Sequence, residues 1–339
     1  MTKRKETHTA SGIEVKYDFS STMWYGADLA KLKEHLRESI GLVSSYPERF
    51  AETIGRLLSR RIEVAENQLL VTDGATGAIH LIARVAEKAK SVVLTPANIE
   101  FKHALEIAGH DITEVPDQTD FDKLPLTGAD YCWISTPNAV TGTLPTRKSL
   151  VHLLKAYPQV TFIIDLSTSA FALEDTIKPS DIKKYPNLIV LSSFSCTYNL
   201  PGMRVGYIVA PAKVIQILDR EYTPRCVSTL AMEAIRYILI HPAQFTIPIR
   251  KWHRIAQDLV KELSKIEGLK VVYTNTPYFV VQLRNHDVTA LHNYLLQEHA
   301  IKVGTQQDDI DLAPNEIRIT AQHAEANEAL INALLQYLN

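Results

Sequence analysis

The sequence predicts an α/β protein: a large domain with a mostly parallel sheet between helices, plus a smaller α+β domain. Three observations predict this fold. Short apolar runs alternate with longer amphipathic stretches between residues 68 and 210. The runs are rich in β-branched and other apolar residues, as strands buried on both faces are. The alternation changes after Pro211, where longer helical patterns take over. Strands that alternate with helices indicate a parallel sheet covered by helices.

The individual elements follow from these patterns. Strands are predicted at residues 68–72, 91–95, 130–135, 161–165, 188–192 and 204–210. Helices are predicted between them at residues 77–88, 101–108, 148–157 and 182–185. The later part of the chain predicts helices at 232–240, 244–266, 288–299 and 325–338, and strands at 270–273, 278–283 and 317–320. The predicted domains are an N-terminal arm with the start of the small domain (1–45), a large domain (46–220) and a small domain (221–339).

Composition narrows the possible partners and the compartment. The 36 basic and 38 acidic residues give a net charge of −2, without a basic patch that would indicate nucleic acid or an acidic membrane. No apolar run approaches the ~20 residues that a membrane span requires. The three cysteines form no CxxC pair, which favours reduced thiols, and the basic N-terminus lacks the apolar region of a signal peptide. We therefore expect a cytoplasmic protein.

Ligands of open α/β sheets bind beyond the carboxyl ends of the strands, so the residues that follow each strand carry most information. Residues 73–78, Asp-Gly-Ala-Thr-Gly-Ala, open a helix with small side chains. They fit either a phosphate-binding helix N-terminus or an ordinary turn capped by Thr76. Phe101, one turn into the next helix, fits either the core or the face of a flat ligand. Asp165 ends a buried strand and needs a partner there. A metal is disfavoured because neither a histidine nor a second carboxylate is its neighbour in sequence.

The most specific stretch is residues 192–207, Ser-Ser-Phe-Ser-Cys-Thr-Tyr-Asn-Leu-Pro-Gly-Met-Arg-Val-Gly-Tyr. It combines several hydroxyls, a Pro-Gly turn and Arg204. Hydroxyl and guanidinium groups are suitable donors to a phosphate dianion. A loop with a structural role alone rarely needs all of them, so the stretch favours a phosphate-binding site.

This stretch resembles the lysine loop of the class I/II, fold-type-I aminotransferases that depend on pyridoxal 5′-phosphate (PLP), Ser-Phe-Ser-Lys-x-x-x-Leu-Pro-Gly-x-Arg-x-Gly-Tyr. The nearest branch is histidinol-phosphate aminotransferase and threonine-phosphate decarboxylase. The resemblance runs from Tyr46-Pro47 to Arg318 in the right order. It implies the fold-type-I fold, PLP or pyridoxamine phosphate (PMP) as the cofactor, and a homodimer with the site at the subunit interface.

The resemblance also implies a role for individual residues. Asp165 matches the acid that pairs with the pyridinium nitrogen, and Phe101 matches the aromatic residue that stacks on the pyridine ring. Arg318 matches the arginine that binds the substrate carboxylate, which suggests an amine carrying a carboxylate or phosphate. The residues that match contacts to the cofactor phosphate are Ala75, Thr76, Ser193, Ser195, Arg204 and, from the neighbouring subunit, Tyr46.

The sequence departs from the family pattern at several of these positions. Cys196 stands where the family keeps its Schiff-base lysine, and no lysine lies between Lys184 and Lys213. Ala139 replaces the asparagine that binds the phenolic oxygen of the cofactor, and Thr168 replaces a tyrosine. Gly304 lies near a position where the family often has an arginine. Three losses together indicate natural drift of the site more than a single engineered change.

A thiol cannot form an imine with an aldehyde, although it can add to one reversibly. Three hypotheses follow. In the first, the chain binds PLP, PMP or a preformed aldimine but transaminates poorly or not at all. In the second, it is an active enzyme that uses PMP or a preformed aldimine with another base, with Cys196 or Tyr198 in the proton path. In the third, it is a cofactor-free interaction pseudoenzyme. Cys196 itself is either an unreactive filler or a nucleophile activated by Ser195 and Arg204.

The sequence assigns no metal ligands. The twelve histidines are scattered, and His80, His103, His152 and His323 show no paired ligand spacing.

Overall fold

The structure is a computed structural model that describes residues 14–308 and 310–338. The basic N-terminal segment and the first part of the predicted arm lie outside the described residues. The α-helices are α1 (Ala30–Glu38), α2 (Glu52–Arg61), α3 (Gly74–Val85), α4 (Ile99–Ile107), α5 (Arg147–Ala156), α6 (Ala212–Arg220), α7 (Thr229–Ile240), α8 (Ile249–Leu263), α9 (Val288–His299) and α10 (Ala324–Leu338).

The β-strands of the described residues are β1 (Tyr17–Asp18), β2 (Leu69–Thr72), β3 (Lys90–Thr95), β4 (Asp111–Pro116), β5 (Tyr131–Ser135), β6 (Thr161–Asp165), β7 (Leu188–Ser193), β8 (Gly206–Val209), β9 (Leu269–Val272), β10 (Tyr278–Leu283), β11 (Ile301–Lys302) and β12 (Glu316–Thr320). Among these residues, no helix combines the length and apolar character that a membrane crossing requires.

Contacts group the described residues into two compact units. The larger unit comprises residues 26–139 and 143–247, and the smaller unit comprises 14–25, 140–142, 248–308 and 310–338. Residues 221–247 therefore group with the larger unit. The boundaries predicted from the sequence, after residues 45 and 220, stay a prediction.

The larger unit contains a seven-stranded sheet in the order β2-β8-β7-β6-β5-β3-β4. All neighbouring strands are parallel except β8, which is antiparallel to both β2 and β7. Successive residues of the central strands enter two hydrophobic clusters: Phe162 and Ile164 lie in one, and Ile163 lies in the other with the buried faces of α3 and α4. Because apolar residues must cover both faces, these strands read as continuous apolar runs, and the predicted mostly parallel sheet is confirmed.

Two predicted elements differ from the observed ones for local reasons. The predicted strand 204–210 begins only at Gly206, because Arg204 has a left-handed backbone with φ of 50°. The predicted helix 182–185 is a 3-10 helix, Pro179–Lys183. Strand β4 was not predicted, since it lies at the sheet edge and buries only Val115.

The smaller unit contains a three-stranded antiparallel sheet, β12-β10-β9, and a two-stranded parallel pair, β1-β11. Helices α8 and α9 both pack against α10. Trp252 on α8 is fully buried and its Nε1 donates to the Ala321 carbonyl at 2.8 Å. The predicted α+β character of the C-terminal part is therefore confirmed.

Candidate functional site

The carboxyl ends of β2, β5, β6 and β7 lie at one edge of the large sheet, because these strands run in the same direction. Asp165 ends β6, Ser135 ends β5 and Ser193 ends β7. Strand β2 leads into the N-terminus of α3 at the same edge. The fold therefore brings together most of the polar residues that the sequence singled out in this unit.

The first turn of α3 forms a cradle of backbone N–H groups. The first N–H groups of a helix have no partner within the helix, and the helix dipole makes this end attractive to anions. Gly74 has φ of +92°, and a Cβ there would lie 2.9 Å from Arg204 Nη2. At Gly206, a Cβ would lie 2.8 Å from the Ala75 nitrogen and 2.7 Å from the Ser192 carbonyl. These two glycines allow β8 and the Arg204 side chain to approach the start of α3.

Arg204 and the two serines surround this cradle. Arg204 is exposed, its Nη2 donates to Thr76 Oγ1 at 3.3 Å, and its Nη1 donates to the Pro201 carbonyl at 3.3 Å. Ser193 Oγ donates to Ser195 Oγ at 3.0 Å and accepts from the Ser195 nitrogen at 3.0 Å. A cation, hydroxyl groups and a helix N-terminus are the donors that an exposed phosphate group requires. We name Ala75, Thr76, Ser193, Ser195 and Arg204 the phosphate cup.

Asp165 is buried, and the Ser167 nitrogen donates to its Oδ1 at 2.8 Å. Burial raises the pKa of Asp165 to about 6, and the hydrogen bond from the Ser167 nitrogen opposes this rise. Opposite Asp165 on β5 is Ser135, whose buried Oγ makes no hydrogen bond with any described residue. The sheet edge thus holds a buried acid and an unsatisfied hydroxyl, which together favour a polar ligand at this place.

Cys196 lies in the loop after β7, directly after Ser195, and is half-buried. The carbonyl of Cys196 accepts from the Asn199 nitrogen at 3.5 Å. Tyr198 follows in the same loop, and burial raises its pKa above the usual value. A tyrosine with a raised pKa keeps its proton at neutral pH and can serve as a donor there, not as a base.

The structure gives less support to the predicted roles of three residues, which are Phe101, Tyr46 and Arg318. Phe101 is fully buried and packs against Trp133 with ring centroids 5.3 Å apart. These contacts are those of a core residue, and the ring-stacking role of Phe101 stays a prediction. Tyr46 is 91% exposed, with the Arg225 guanidinium 5.8 Å from its ring centroid. Its side chain therefore takes no part in the cup of its own chain.

Arg318 lies on β12 of the smaller unit, and its Nη2 donates to the Ser20 carbonyl at 2.6 Å. Gly304 exchanges two backbone hydrogen bonds with Arg318, and a Cβ at Gly304 would lie 2.9 Å from Ile310 Cδ1. Because the backbones of Gly304 and Arg318 pair closely, position 304 has little room for a side chain, which explains the glycine there. The substrate-binding role of Arg318 stays a prediction.

Thr168 and Asn138 lie at or next to positions that differ from the family pattern, and both make ordinary structural hydrogen bonds. Thr168 is buried and donates to the Pro137 carbonyl at 2.8 Å. Asn138, next to Ala139, is buried, and its Nδ2 donates to the Pro96 carbonyl at 2.7 Å and to Asp117 Oδ2 at 3.0 Å. The Asn138 amide is thus committed to these two acceptors and is not a substitute for an asparagine at position 139.

The sequence did not predict a role for Ser135, nor the contact of Gly206 with the start of α3. The signal for Ser135 was available, because it ends a predicted strand as Asp165 does. The close approach of Gly206 to the start of α3 depends on β8 lying between β2 and β7, which no local pattern specifies.

Comparison with known proteins gives one consistent family. The model of the family "Aminotransferase class I and II" matches residues 30–338. Histidinol-phosphate aminotransferase of Bacillus subtilis (strain 168) is 25% identical over 327 residues, which are 93% of this chain and 89% of that protein. The crystal structure of L-threonine-O-3-phosphate decarboxylase from Porphyromonas gingivalis is 35% identical with a TM-score of 0.92, covering 95% of this chain and 99% of the other.

A third similar structure addresses the cofactor. Histidinol-phosphate aminotransferase from Sinorhizobium meliloti, in complex with PLP, shares the fold with a TM-score of 0.83 at 18% identity, covering 96% of this chain and 91% of the other. The expected fold-type-I fold and the PLP-dependent character of the family are confirmed. The residues at the sheet edge fit such a cofactor: the cup offers donors to a phosphate, and the buried Asp165 offers a carboxylate to a protonated ring nitrogen.

Proposed function

Because the chain belongs to the class I and II aminotransferase family, we propose that it binds PLP or PMP without a covalent bond and binds or acts on a phosphate-bearing amine or amino acid. In this proposal transamination is impaired or absent. The observation that carries it is Cys196, which follows Ser195 in a loop that otherwise keeps the family's phosphate donors. Cys196 is assigned to the lysine position because residues 192–207 match the lysine loop.

The cofactor would be held by the phosphate cup and by Asp165. The cup supplies one guanidinium, three hydroxyls and the first N–H groups of α3. Asp165 would pair with the protonated ring nitrogen, and this pairing would favour the ionised carboxylate that burial otherwise disfavours. When bound, PLP supplies an electron sink for bond cleavage next to an amine.

Cys196 limits what the chain can do with this cofactor. A thiol cannot replace the lysine amine in covalent attachment, and it is a poor group for moving a proton between carbon atoms. With no lysine between Lys184 and Lys213, a shift of the loop by a few residues does not bring an amine to this place. Loss of a catalytic group of this kind removes several powers of ten in rate.

Relatives suggest the chemical class of the ligand. Histidinol phosphate and L-threonine O-3-phosphate, which the names of the similar proteins specify, are both amines that carry a phosphate ester. Arg318, on β12 of the smaller unit, carries a guanidinium of the kind that pairs with a carboxylate or phosphate. We therefore propose an O-phospho amine or O-phospho amino acid as the ligand.

A second candidate function is decarboxylation of an O-phospho amino acid. The similar solved structure at 35% identity is a decarboxylase, whereas the aminotransferase of Bacillus subtilis is 25% identical. This candidate would need a proton donor at the substrate carbon. Tyr198, which lies two residues from Cys196 and keeps its proton, is the donor that we propose for that step.

The proposal is tested by titrating the purified protein with PLP and PMP and following cofactor absorbance and fluorescence. The PLP complex is then mixed with O-phosphothreonine, and release of carbon dioxide and formation of PMP are measured. With histidinol phosphate, which has no carboxylate to lose, formation of PMP alone is measured. We expect saturable binding with little or no PMP formation. Arg204→Ala should weaken binding at least tenfold, since it removes a charge-assisted contact to the phosphate. Arg84→Ala, which removes another exposed arginine of the larger unit, should bind as the unmodified protein does.

The outcomes separate the candidate functions. Carbon dioxide release without PMP formation would favour decarboxylation, and rapid PMP formation would favour an active aminotransferase with another base. If neither cofactor form binds, the cup is a structural remnant and the cofactor-free interaction protein becomes the better account.

A further inference from the structure

Three side chains of types that can bind a metal meet on the surface of α3 and α4, and none of them belongs to the cup. His80 lies on α3, and Glu100 and His103 lie on α4. His80 Nε2 is 3.0 Å from Glu100 Oε2, and His103 Nδ1 is 3.9 Å from the same oxygen. One ligand atom from each side chain lies within 4.8 Å of the other two. We propose that these three side chains bind one divalent transition-metal ion of the zinc type.

The ligand set and its spacing suit such an ion. Two imidazoles and one carboxylate form a common zinc-binding set, whereas calcium and magnesium prefer oxygen ligands. Ligand atoms placed ~2.0–2.2 Å from a tetrahedral ion are separated by roughly 3.3–3.6 Å. The observed distances of 3.0 and 3.9 Å lie on either side of this range, so small rotamer adjustments would complete the site.

The two helices hold the ligands in place. Glu100 and His103 are three residues apart and therefore share one face of α4. The buried faces of α3 and α4 pack in one hydrophobic cluster, which includes Ile79, Ile82 and Leu105. Side chains carried by packed helices keep their relative positions better than side chains on loops. The ligand side chains are 31%, 31% and 59% exposed, which leaves room for water in the remaining coordination position.

An ordinary hydrogen bond between histidine and glutamate accounts for only part of this arrangement. It explains the contact of His80 with Glu100 but not the position of His103, whose ring lies edge-on to that of His80 with centroids 5.6 Å apart. His152 and Asp122 form a comparable exposed pair at 3.4 Å. Within the part of the chain that the structure describes, only the cluster of His80, Glu100 and His103 brings three such ligands together.

A bound ion would join α3 to α4 close to the cup. Thr76 lies four residues before His80, one turn along α3, and belongs to the cup. Since an ion that binds the folded state stabilises it by mass action, metal should raise the resistance of this region to unfolding. This proposal does not depend on the proposed function, because its ligands are not cofactor contacts.

The test uses the full chain without an affinity tag, stripped of metal and kept in phosphate-free buffer without PLP. Zn²⁺ alone is titrated by isothermal calorimetry, and Co²⁺ is added to read coordination from its visible absorption. We expect one saturable site per chain and a higher unfolding temperature with Zn²⁺. The visible spectrum of Co²⁺ should indicate a low coordination number. His80→Ala and His103→Ala should each weaken binding at least tenfold.

Two matched controls make the result specific. His152→Ala removes the histidine of a two-ligand pair, and Cys196→Ser removes a thiol that could bind zinc elsewhere. Both should bind Zn²⁺ as the unmodified chain does. The proposal is overturned if no saturable Zn²⁺ site is found. It is also overturned if His80→Ala and His103→Ala bind Zn²⁺ with the affinity of the unmodified chain and, without metal, unfold at the same temperature as that chain.

Discussion

At the residue scale, Asp165 shows how the candidate site is prepared for a cationic partner. Its carboxylate is buried at the end of β6, where water cannot solvate the negative charge. Burial therefore raises the pKa of Asp165 to about 6, from an ordinary value of 3.8, even though Ser167 donates to it. A group that is unfavourable in its ionised form in the folded chain is a site where a protonated ligand gains affinity.

The raised pKa predicts a pH dependence of stability. The folded state binds the Asp165 proton more tightly than the unfolded state, so the stabilisation is complete below pH 4 and is lost as pH rises through about 6. Asp165→Asn removes the ionised form and should stabilise the cofactor-free protein at pH 7 by about 1–3 kcal/mol relative to the unmodified chain. Urea unfolding of both proteins at pH 7 and pH 4.5 measures this, and the advantage should shrink at the lower pH. An advantage of equal size at both pH values would contradict the account.

Gly206 offers a second prediction at this scale. A Cβ at this position would overlap the start of α3, whereas nothing lies within 4 Å of a Cβ at Gly202 in the preceding loop. Gly206→Ala should lower the free energy of unfolding by about 1–3 kcal/mol and weaken PLP binding, since the cup must shift. Gly202→Ala is the matched control and should change stability by less than about 0.5 kcal/mol. Unfolding and PLP titrations of the two variants decide the point, and equal behaviour would refute it.

Some residues of the candidate site were predictable from sequence because a strand end marked them. Asp165 and Ser193 follow apolar runs directly, so their meeting at one sheet edge follows from parallel strand order. The cluster of His80, Glu100 and His103 was not predictable, because His80 is separated from Glu100 by twenty positions and a whole strand. The burial of Phe101 depends on its contact with Trp133 on β5, which the local sequence does not reveal.

At the element scale, the start of α5 is fixed to the 3-10 helix Pro179–Lys183 by one partly buried ion pair. Arg147 donates from Nη1 and Nη2 to the two carboxylate oxygens of Asp181, both at 2.7 Å. Burial alone would raise the pKa of Asp181, but the hydrogen bonds from Arg147 lower it below the usual value. This pair therefore stabilises the fold at neutral pH and weakens as pH falls.

Removal of the arginine should be costly. Arg147→Ala leaves the buried Asp181 without its cationic partner and should lower the free energy of unfolding by about 3 kcal/mol at pH 7. Lys265→Ala breaks the exposed pair with Glu262, which water screens, and should leave the unfolding curve nearly unchanged. Chemical unfolding curves of both variants test this difference, which is absent if the buried pair contributes no more than the exposed one.

Elements with a buried apolar run were predictable, and those that depend on context were not. The central strands β5, β6 and β7 bury nearly every residue, and each therefore shows a nearly continuous apolar run in the sequence. Edge strand β4 buries one residue in six and carries charged side chains, so its sequence resembles a loop. The predicted start of β8 lies two residues before the observed one, because the left-handed backbone at Arg204 has no distinct sequence signal.

At the scale of the whole molecule, we expect a homodimer. The segment that contains Ile40, Val43 and Tyr46 exposes 57%, 62% and 91% of these side chains, which is unusual for apolar residues close together. In the family expectation, Tyr46 reaches the phosphate of a neighbouring subunit. Light scattering should therefore give twice the chain mass of 38.0 kDa. Val43→Lys should shift the protein toward monomer, whereas Ile217→Lys, at another exposed apolar residue, should leave the dimer intact. A monomeric unmodified protein would contradict a role for Tyr46 in the neighbouring site.

The most direct test of the central claim is reductive trapping of PLP. The protein is saturated with PLP, treated with borohydride and examined by intact and peptide mass spectrometry, beside the variant Cys196→Lys. We predict that the unmodified protein binds PLP but carries no stoichiometric adduct, and that Cys196→Lys acquires one adduct per chain at residue 196. A stoichiometric adduct on a native lysine would contradict the account, because an amine elsewhere would then serve in place of the missing one.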